Sequence, residues 1–91
     1  MALLACNVKP GLRAAEATVQ IKDYSGRTEF LPVDRDMLHQ KGNQSYLPVT
    51  LVHLNRAKKV ALVSLPVETD SGAHQLWVKL ADLKEYSETP A

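Results

Sequence analysis

Short segments of alternating apolar and polar residues, separated by polar clusters, run through most of this sequence and restrict it to a β fold. The alternation is clear in residues 18–22, where Val19 and Ile21 point to one side, and again in residues 74–80. A period of two is typical of a strand that buries one face. The chain is therefore expected to be mostly β.

The first hairpin is predicted from residues 18–22 and 28–33, which flank the turn sequence of residues 23–26. Asp, Ser and Gly are common turn residues, and glycine can adopt the positive φ that many turns require. Beyond the hairpin, Asp34 has the side chain of a helix N-cap, so residues 35–41 are predicted to form one or two helical turns.

A second hairpin is predicted from residues 46–54 and 59–65, which are joined by the polar connector of residues 55–58. Both segments are apolar on two faces, which is typical of central strands. A further turn cluster at residues 69–72 precedes the alternating residues 74–80, which are predicted to form the fifth strand.

Five short strands with one brief helix are expected to curl into a compact barrel, because a chain this small does not suit an open sheet. The closing sequence Leu-Trp-Val-Lys-Leu-Ala-Asp-Leu, residues 76–83, resembles the close of SH3-like barrels, where a strand runs into a tight helical turn and a last short strand. This resemblance implies a small five-stranded SH3-like β-barrel with one short helix.

The expected core takes apolar residues from every predicted strand. A charged residue at Leu62 is expected to abolish folding, because an unpaired buried charge is costly. The expected core residues are Val19, Ile21, Phe30, Leu31, Val33, Leu47, Val49, Leu51, Val60, Leu62, Leu76, Val78, Leu80 and Leu83.

The 91 residues correspond to one domain. Residues 1–16 show no clean period and contain a Pro-Gly pair, so we expect an irregular N-terminal arm. Residues 17–86 are expected to form the single small β-barrel domain, and residues 87–91 a disordered tail. A domain this short buries only about 60 to 65% of the surface of its unfolded chain, which favours shallow surface binding over an enclosed active site.

Charge and cysteine content restrict the partner and the compartment. Eleven Lys and Arg against ten Asp and Glu give a formal net charge of +1, so nucleic-acid binding would depend on a local patch. The single Cys6 cannot close an intramolecular disulfide, and no apolar run approaches the ~20 residues of a membrane-spanning helix. We therefore expect a cytoplasmic protein that does not contact membranes.

Catalytic and metal sites find little support in the sequence. Cys6 and the three histidines lack the close spacing of zinc ligands, and the scattered glycines make no phosphate-binding loop. Asp70, Ser71 and His74 could form a nucleophile triad, but Asp-Ser-Gly is ordinary turn chemistry and a flexible turn lacks the rigid positioning that catalysis needs. We expect no enzymatic activity, no cofactor, no metal and no small-molecule substrate.

Trp77 is the strongest candidate for a binding residue. The alternation that buries Leu76 and Val78 turns Trp77 outward beside Lys79. An exposed indole ring can stack on a nucleic-acid base or fill a pocket on a protein partner. The alternative is that the N-terminal arm or a loop covers the ring.

The connector of the second hairpin is basic. Arg56, Lys58 and Lys59 could contact phosphates, and with Lys79 they would flank Trp77 if the fifth strand lies nearby. The alternative is a solvated turn that keeps the hairpin soluble. His53, in phase with the apolar residues of its strand, is predicted to be a core-edge histidine.

Two functions from different classes follow. We favour a protein-interaction or accessory module that uses an exposed sheet edge and Trp77 to dock onto a partner or a second copy of itself. The alternative is a nucleic-acid-binding barrel that stacks bases on Trp77 and Tyr46 and holds phosphates on its basic residues. The candidate binding residues are Trp77, Lys79, Tyr46, Arg56, Lys58 and Lys59.

Overall fold

The computed structural model describes residues 2–84, and within them the chain forms eight β-strands and no α-helix. The prediction of a mostly β protein is confirmed. Two 3₁₀ turns, Arg35–Met37 and Leu80–Asp82, complete the regular structure. The strands are β1 (Ala2–Pro10), β2 (Glu16–Lys22), β3 (Thr28–Asp34), β4 (His39–Lys41), β5 (Gln44–Asn55), β6 (Val60–Ser64), β7 (Gln75–Lys79) and β8 (Leu83–Lys84).

One antiparallel sheet contains all of these strands, in the order β3-β2-β1-β5-β6-β7, with β4 paired to β5 and β8 paired to β1. Because strands twist in one direction, the sheet curls until its concave face encloses the apolar side chains. The result is a half-barrel. The loop between β6 and β7 reaches across to β3, where the amide of Asp70 donates a 2.8 Å hydrogen bond to the carbonyl oxygen of Phe30.

Both predicted hairpins are present. β2 pairs with β3 around the predicted turn, in which the carboxylate of Asp23 accepts hydrogen bonds from the amides of Ser25 and Arg27. Gly26 adopts a φ of 88°, as the turn requires. β5 pairs with β6 through the polar connector, and β6 pairs in turn with β7, the predicted fifth strand.

The N-terminal segment is not an irregular arm, so that prediction was wrong. Residues Ala2–Pro10 form β1, which lies at the centre of the sheet between β2 and β5. Leu3 and Leu4 are both buried although they point to opposite faces of the strand. A strand that is covered on both faces has no polar side, so the alternation that reveals a half-buried strand is missing. The Pro10-Gly11 pair marks the end of this strand and is not evidence against one.

The predicted helical turns over residues 35–41 are replaced by one 3₁₀ turn and a short strand. Only Arg35–Met37 is helical, as one 3₁₀ turn, and Asp34 makes no side-chain hydrogen bond that caps it. His39–Lys41 forms β4, and Gly42, with a φ of 61°, turns the chain directly into β5. A glycine at the first position of a two-residue connection is typical of a hairpin, although a glycine directly after residues 35–41 would equally suit the end of the predicted helix. With β1 and β8, this strand brings the number to eight instead of five.

The C-terminal part of the described chain has the predicted order of elements. The 3₁₀ turn Leu80–Asp82 leads into the short strand β8, which pairs with β1. Residues 85 and 86, which end the predicted barrel domain, and the predicted disordered tail of residues 87–91 lie outside the described residues.

The core lies on the concave face and agrees with most of the expected residues. Phe30 is exposed because its neighbours Glu29 and Leu31 take the inward positions of β3, so its prediction as core was wrong. Four expected core residues are only partly buried, namely Leu51, Leu62, Leu76 and Leu80. Core residues that the sequence analysis missed include Ala2, Leu4, Cys6, Ala61, Val63 and Leu65.

Candidate binding surface

Trp77 points out of the sheet, as the alternation predicted, and is 42% exposed. In the pairing register it lies opposite Leu62 of β6, and Leu62 lies opposite His53 of β5, so the three form one row on the outer face. The rings of His53 and Trp77 meet edge to face, with centroids 6.0 Å apart and planes inclined by 82°. His53 is exposed, which corrects its assignment to the core edge. The contact holds the indole in place without covering it.

Tyr24 is a second aromatic residue at this surface. Its backbone amide donates a 2.6 Å hydrogen bond to the carbonyl oxygen of Trp77, which attaches the turn of the first hairpin to β7. The Tyr24 side chain is 57% exposed. The sequence predicts only a turn at this residue. No local pattern could have found it, because its neighbour Trp77 is distant in the sequence and meets it only when the sheet curls.

The basic residues of the β5–β6 connector lie beside this aromatic pair. The carbonyl oxygen of Lys59 accepts a 2.9 Å hydrogen bond from the amide of Leu80, which holds the connector against the end of β7. A groove of about 680 Å³ forms between them. It is lined by Tyr24, Arg56, Lys58, Lys59, Val60, Lys79, Leu80 and Ala81.

A smaller groove of about 280 Å³ adjoins the first and shares Tyr24, Lys58 and Val60 with it. The smaller groove adds Asn55 and Trp77 to the lining, so the two grooves form a continuous surface. We call it the aromatic–basic groove. Its aromatic and basic side chains are Tyr24, Arg56, Lys58, Lys59, Trp77 and Lys79. Five of these six were named from the sequence; their role in binding stays a prediction.

The backbone of the β5–β6 connector is bent tightly. The side chain of Asn55 accepts a 3.0 Å hydrogen bond from the amide of Lys58, and the amide of Lys59 donates to the carbonyl oxygen of Arg56 at 3.2 Å. Lys59 has a φ of 57°, in the left-handed region that glycine usually occupies. A lysine therefore stands at the position where a glycine would be least strained.

The electrostatic character of the groove is positive. Four of its lining residues are cations, and no acidic residue within the described range 2–84 lines either groove. The acid next to Tyr24 in sequence is Asp23, and its carboxylate is engaged within the turn. Desolvation raises the pKa of Asp23, but hydrogen bonds from Ser25 and from the Arg27 amide outweigh it and leave that pKa below its ordinary value.

Tyr46 does not belong to this surface. β5 is paired at Tyr46 with both β1 and β4, and the side chain is only 4% exposed. The Nζ atom of Lys84 lies 5.9 Å from its ring centroid. The buried ring leaves no open face for a base, so the prediction that Tyr46 stacks on a ligand was wrong.

The residues of the hypothetical triad have separate partners. The hydroxyl of Ser71 donates a 2.6 Å hydrogen bond to a carboxylate oxygen of Glu29, whereas Nε2 of His74 lies 3.1 Å from a carboxylate oxygen of Glu68. The amide of Asp70 is bonded to the carbonyl of Phe30. The loop that carries these residues therefore fastens β3 to the end of the half-barrel.

No protein-family model, curated protein or solved structure matches this chain. Within residues 2–84, no three His, Cys, Asp or Glu side chains gather where they could hold a metal ion. The same part of the chain contains no helix long and apolar enough to cross a membrane.

Proposed function

We propose that this protein is a non-enzymatic binding module that docks a negatively charged macromolecule in the aromatic–basic groove. The observation that carries the proposal is the lining of the groove, where the described residues 2–84 contribute four cations and two exposed aromatic rings but no acidic side chain. Exposed aromatic residues and arginine are enriched where proteins bind partners.

The distribution of charge supports this reading. The whole chain has a formal net charge of only +1, yet four of its eleven basic residues lie together at the groove. Like charges brought together repel each other and do not stabilise the fold. Screening restricts a surface charge to about 8–10 Å at physiological salt, so such a cluster acts on a ligand that touches it.

The conformation of Lys59 is a second, independent support. A non-glycine residue in the left-handed region costs about 1 kcal/mol, and this cost falls on a residue whose side chain lines the groove. A glycine at this position would fold more easily but would remove one of the four cations. The lysine is explained if its charge is used in binding.

The finer fold assignment and the compartment belong to the same proposal. The order of a strand, one 3₁₀ turn and a last short strand at β7, Leu80–Asp82 and β8 supports an SH3-like arrangement of this end of the half-barrel. A cytoplasmic location fits the single buried thiol of Cys6.

Docking of an uncharged protein surface, or of a second copy of this chain, is a second candidate function. Val52, at the bulge of β5, is 48% exposed, and Leu62 and Trp77 add partly exposed apolar area to the same outer face. The edge of β7 is a weaker candidate for pairing with a partner strand, because the Trp77 carbonyl oxygen already accepts a hydrogen bond from the Tyr24 amide. Self-association through this face predicts a molecular mass in sedimentation that rises with concentration and returns to that of a monomer in Val52→Ser.

Salt-dependent binding tests the main proposal. We would titrate the protein with fluorescently labelled anionic polymers, both nucleic acid and polyglutamate, and follow anisotropy at low and moderate salt. Lys58→Ala/Lys59→Ala should weaken binding of whichever polymer binds. The matched control is Lys9→Ala/Lys41→Ala, which removes the same charge near the opposite end of β5. Equal weakening by the two double variants, or no binding of any polyanion, would overturn the proposal.

A further inference from the structure

We infer that the occupant of the aromatic–basic groove is single-stranded nucleic acid, with bases stacked on Trp77 and Tyr24 and phosphates held by Lys58, Lys59 and Lys79. This inference rests on the proposed function and names the ligand class for the same site. Single-strand binding proteins combine these two features, a basic track for the backbone and aromatic side chains for the bases.

The aromatic pair is suited to stacking because both residues are exposed. The Trp77 ring is held by the edge contact with His53 and by its position on β7, and the backbone of Tyr24 is held beside it by the hydrogen bond to Trp77. A ring that is already positioned loses little conformational entropy when a base stacks on it. Stacking of this kind is worth about 1–3 kcal/mol per base and does not depend on the base sequence.

The cations are placed where a backbone would pass. Lys58 lines both grooves, Lys59 is bound through its carbonyl to the turn after β7, and Lys79 is the last residue of β7 itself. They therefore lie along one continuous surface with the rings at its side. Three phosphate contacts to a single strand predict that log K falls with log salt with a slope of about −2.

An acidic protein segment fits the groove less well. Carboxylates would satisfy the lysines, but Asp and Glu side chains have no aromatic ring to stack on Trp77 and Tyr24, which are about half exposed. Duplex DNA has the phosphates, but its bases are stacked on each other and present only their edges. A single strand uses the cations and both rings together.

The test is a comparison of ligands on the full chain. Titration with a short oligothymidylate should quench the fluorescence of Trp77, the only tryptophan in the chain. Polyglutamate and inorganic polyphosphate carry charge without bases and should bind at least tenfold more weakly. A duplex of the same length should also bind more weakly than the single strand. The affinity for oligothymidylate should fall about 15-fold between 50 and 200 mM salt, as three phosphate contacts require.

Variants separate stacking from charge. Trp77→Ala should weaken oligothymidylate binding about 5- to 150-fold, the equivalent of one stacked base, while Trp77→Phe keeps most of the affinity. Lys58→Ala/Lys59→Ala should make the salt slope less steep by about 1.4. Lys9→Ala/Lys41→Ala should change neither. Circular dichroism melting shows which variants are folded. If Trp77→Ala does not fold, Tyr24→Ala supplies a second stacking variant.

The outcomes distinguish the inference from the function on which it rests. If polyglutamate binds as tightly as oligothymidylate and Trp77→Ala binds both like the wild type, the ligand is an acidic protein segment. In that case the inference is wrong and the proposed function stands. If the duplex binds as tightly as the single strand, stacking is not used and the inference is again wrong. If no polyanion binds through the groove, both are wrong.

Discussion

The backbone amide of Tyr24 lies 2.6 Å from the carbonyl oxygen of Trp77, to which it donates a hydrogen bond. Tyr24 belongs to the β2–β3 turn and Trp77 to β7, the last strand in the order of the sheet. The curl of the sheet brings these distant parts together, so the aromatic–basic groove depends on tertiary structure.

The two roles of Tyr24 can be separated by substitution. Tyr24→Ala keeps the amide, so we expect little loss of stability but weaker binding of single-stranded nucleic acid. Tyr24→Pro removes the amide as well. The turn tolerates proline, because the amide of Gly26 is bonded to the carbonyl of Asp23 and both intervening residues have negative φ. We expect Tyr24→Pro to lower the free energy of unfolding by about 1 kcal/mol.

Chemical denaturation followed by circular dichroism measures this difference. Trp77 emission should also shift to longer wavelength in Tyr24→Pro, because the turn no longer holds β7. Equal stability of the proline and alanine variants would mean that water replaces the backbone bond without cost.

Lys59 offers a substitution that should raise stability and lower affinity together. Lys59→Gly relieves the left-handed strain at a φ of 57° and should stabilise the fold by up to about 1 kcal/mol, while it removes one cation from the groove. Lys59→Ala removes the same cation but keeps the strain, so its stability should stay near that of the wild type. Thermal melts and salt-dependent titrations of both variants check this prediction. A glycine variant that binds as well as the wild type would remove the functional explanation for the lysine.

Local patterns predicted the elements that are formed locally. The β2–β3 and β5–β6 hairpins each join neighbouring segments through a short turn, and β7 buries one face, so their alternation and turn residues are visible in the sequence. β1 and β4 are different. β1 is buried on both faces and therefore reads as an apolar run, and β4 is too short and polar to show a period. Tertiary pairing, which no local pattern contains, makes them strands.

The candidate site was predictable to the same degree. The outward direction of Trp77 follows from the alternation of β7, and the basic connector is visible as a run of cations. Tyr24 and His53 join the surface only through long-range packing. Tyr46 was misplaced because its burial depends on tertiary packing, which leaves the ring 4% exposed with Lys84 of β8 beside it.

Leu62 and Val63 are neighbours on β6 that face opposite sides of the sheet. Leu62 lies on the outer face and is partly exposed, whereas Val63 is fully buried in the core. A charge at Leu62 is therefore no longer expected to abolish folding, and the test becomes a comparison of charged variants at Leu62 and Val63. Val63→Asp should lose the cooperative thermal transition, because the carboxylate would be buried without a partner. Leu62→Asp should keep that transition at a lower temperature; loss of folding in both variants would contradict the assignment of the two faces.

Glu29 is a buried carboxylate on the concave side of β3, and Ser71 supplies its short hydrogen bond of 2.6 Å. Ser71→Ala would leave the carboxylate without this donor, so we expect the free energy of unfolding to fall by about 1–3 kcal/mol. Ser25→Ala is the matched control. It removes a similar bond of 2.7 Å to Asp23 that is exposed, where water can replace the hydroxyl. Equal losses in urea denaturation would show that burial does not strengthen the bond to Glu29.

Cys6 lies in the core, and burial raises the pKa of its thiol from the ordinary value of 9.0 to about 11. Because the thiolate is the reactive form, the folded protein should not react with a thiol reagent at pH 8, although it should react fully in denaturant. The folded state favours the neutral thiol, so its contribution to stability is complete below about pH 9 and is lost as the pH rises towards 11. The stability difference between the wild type and Cys6→Ala should therefore shrink over that interval. Rapid labelling of the native protein, or a constant difference, would contradict the burial of this thiol.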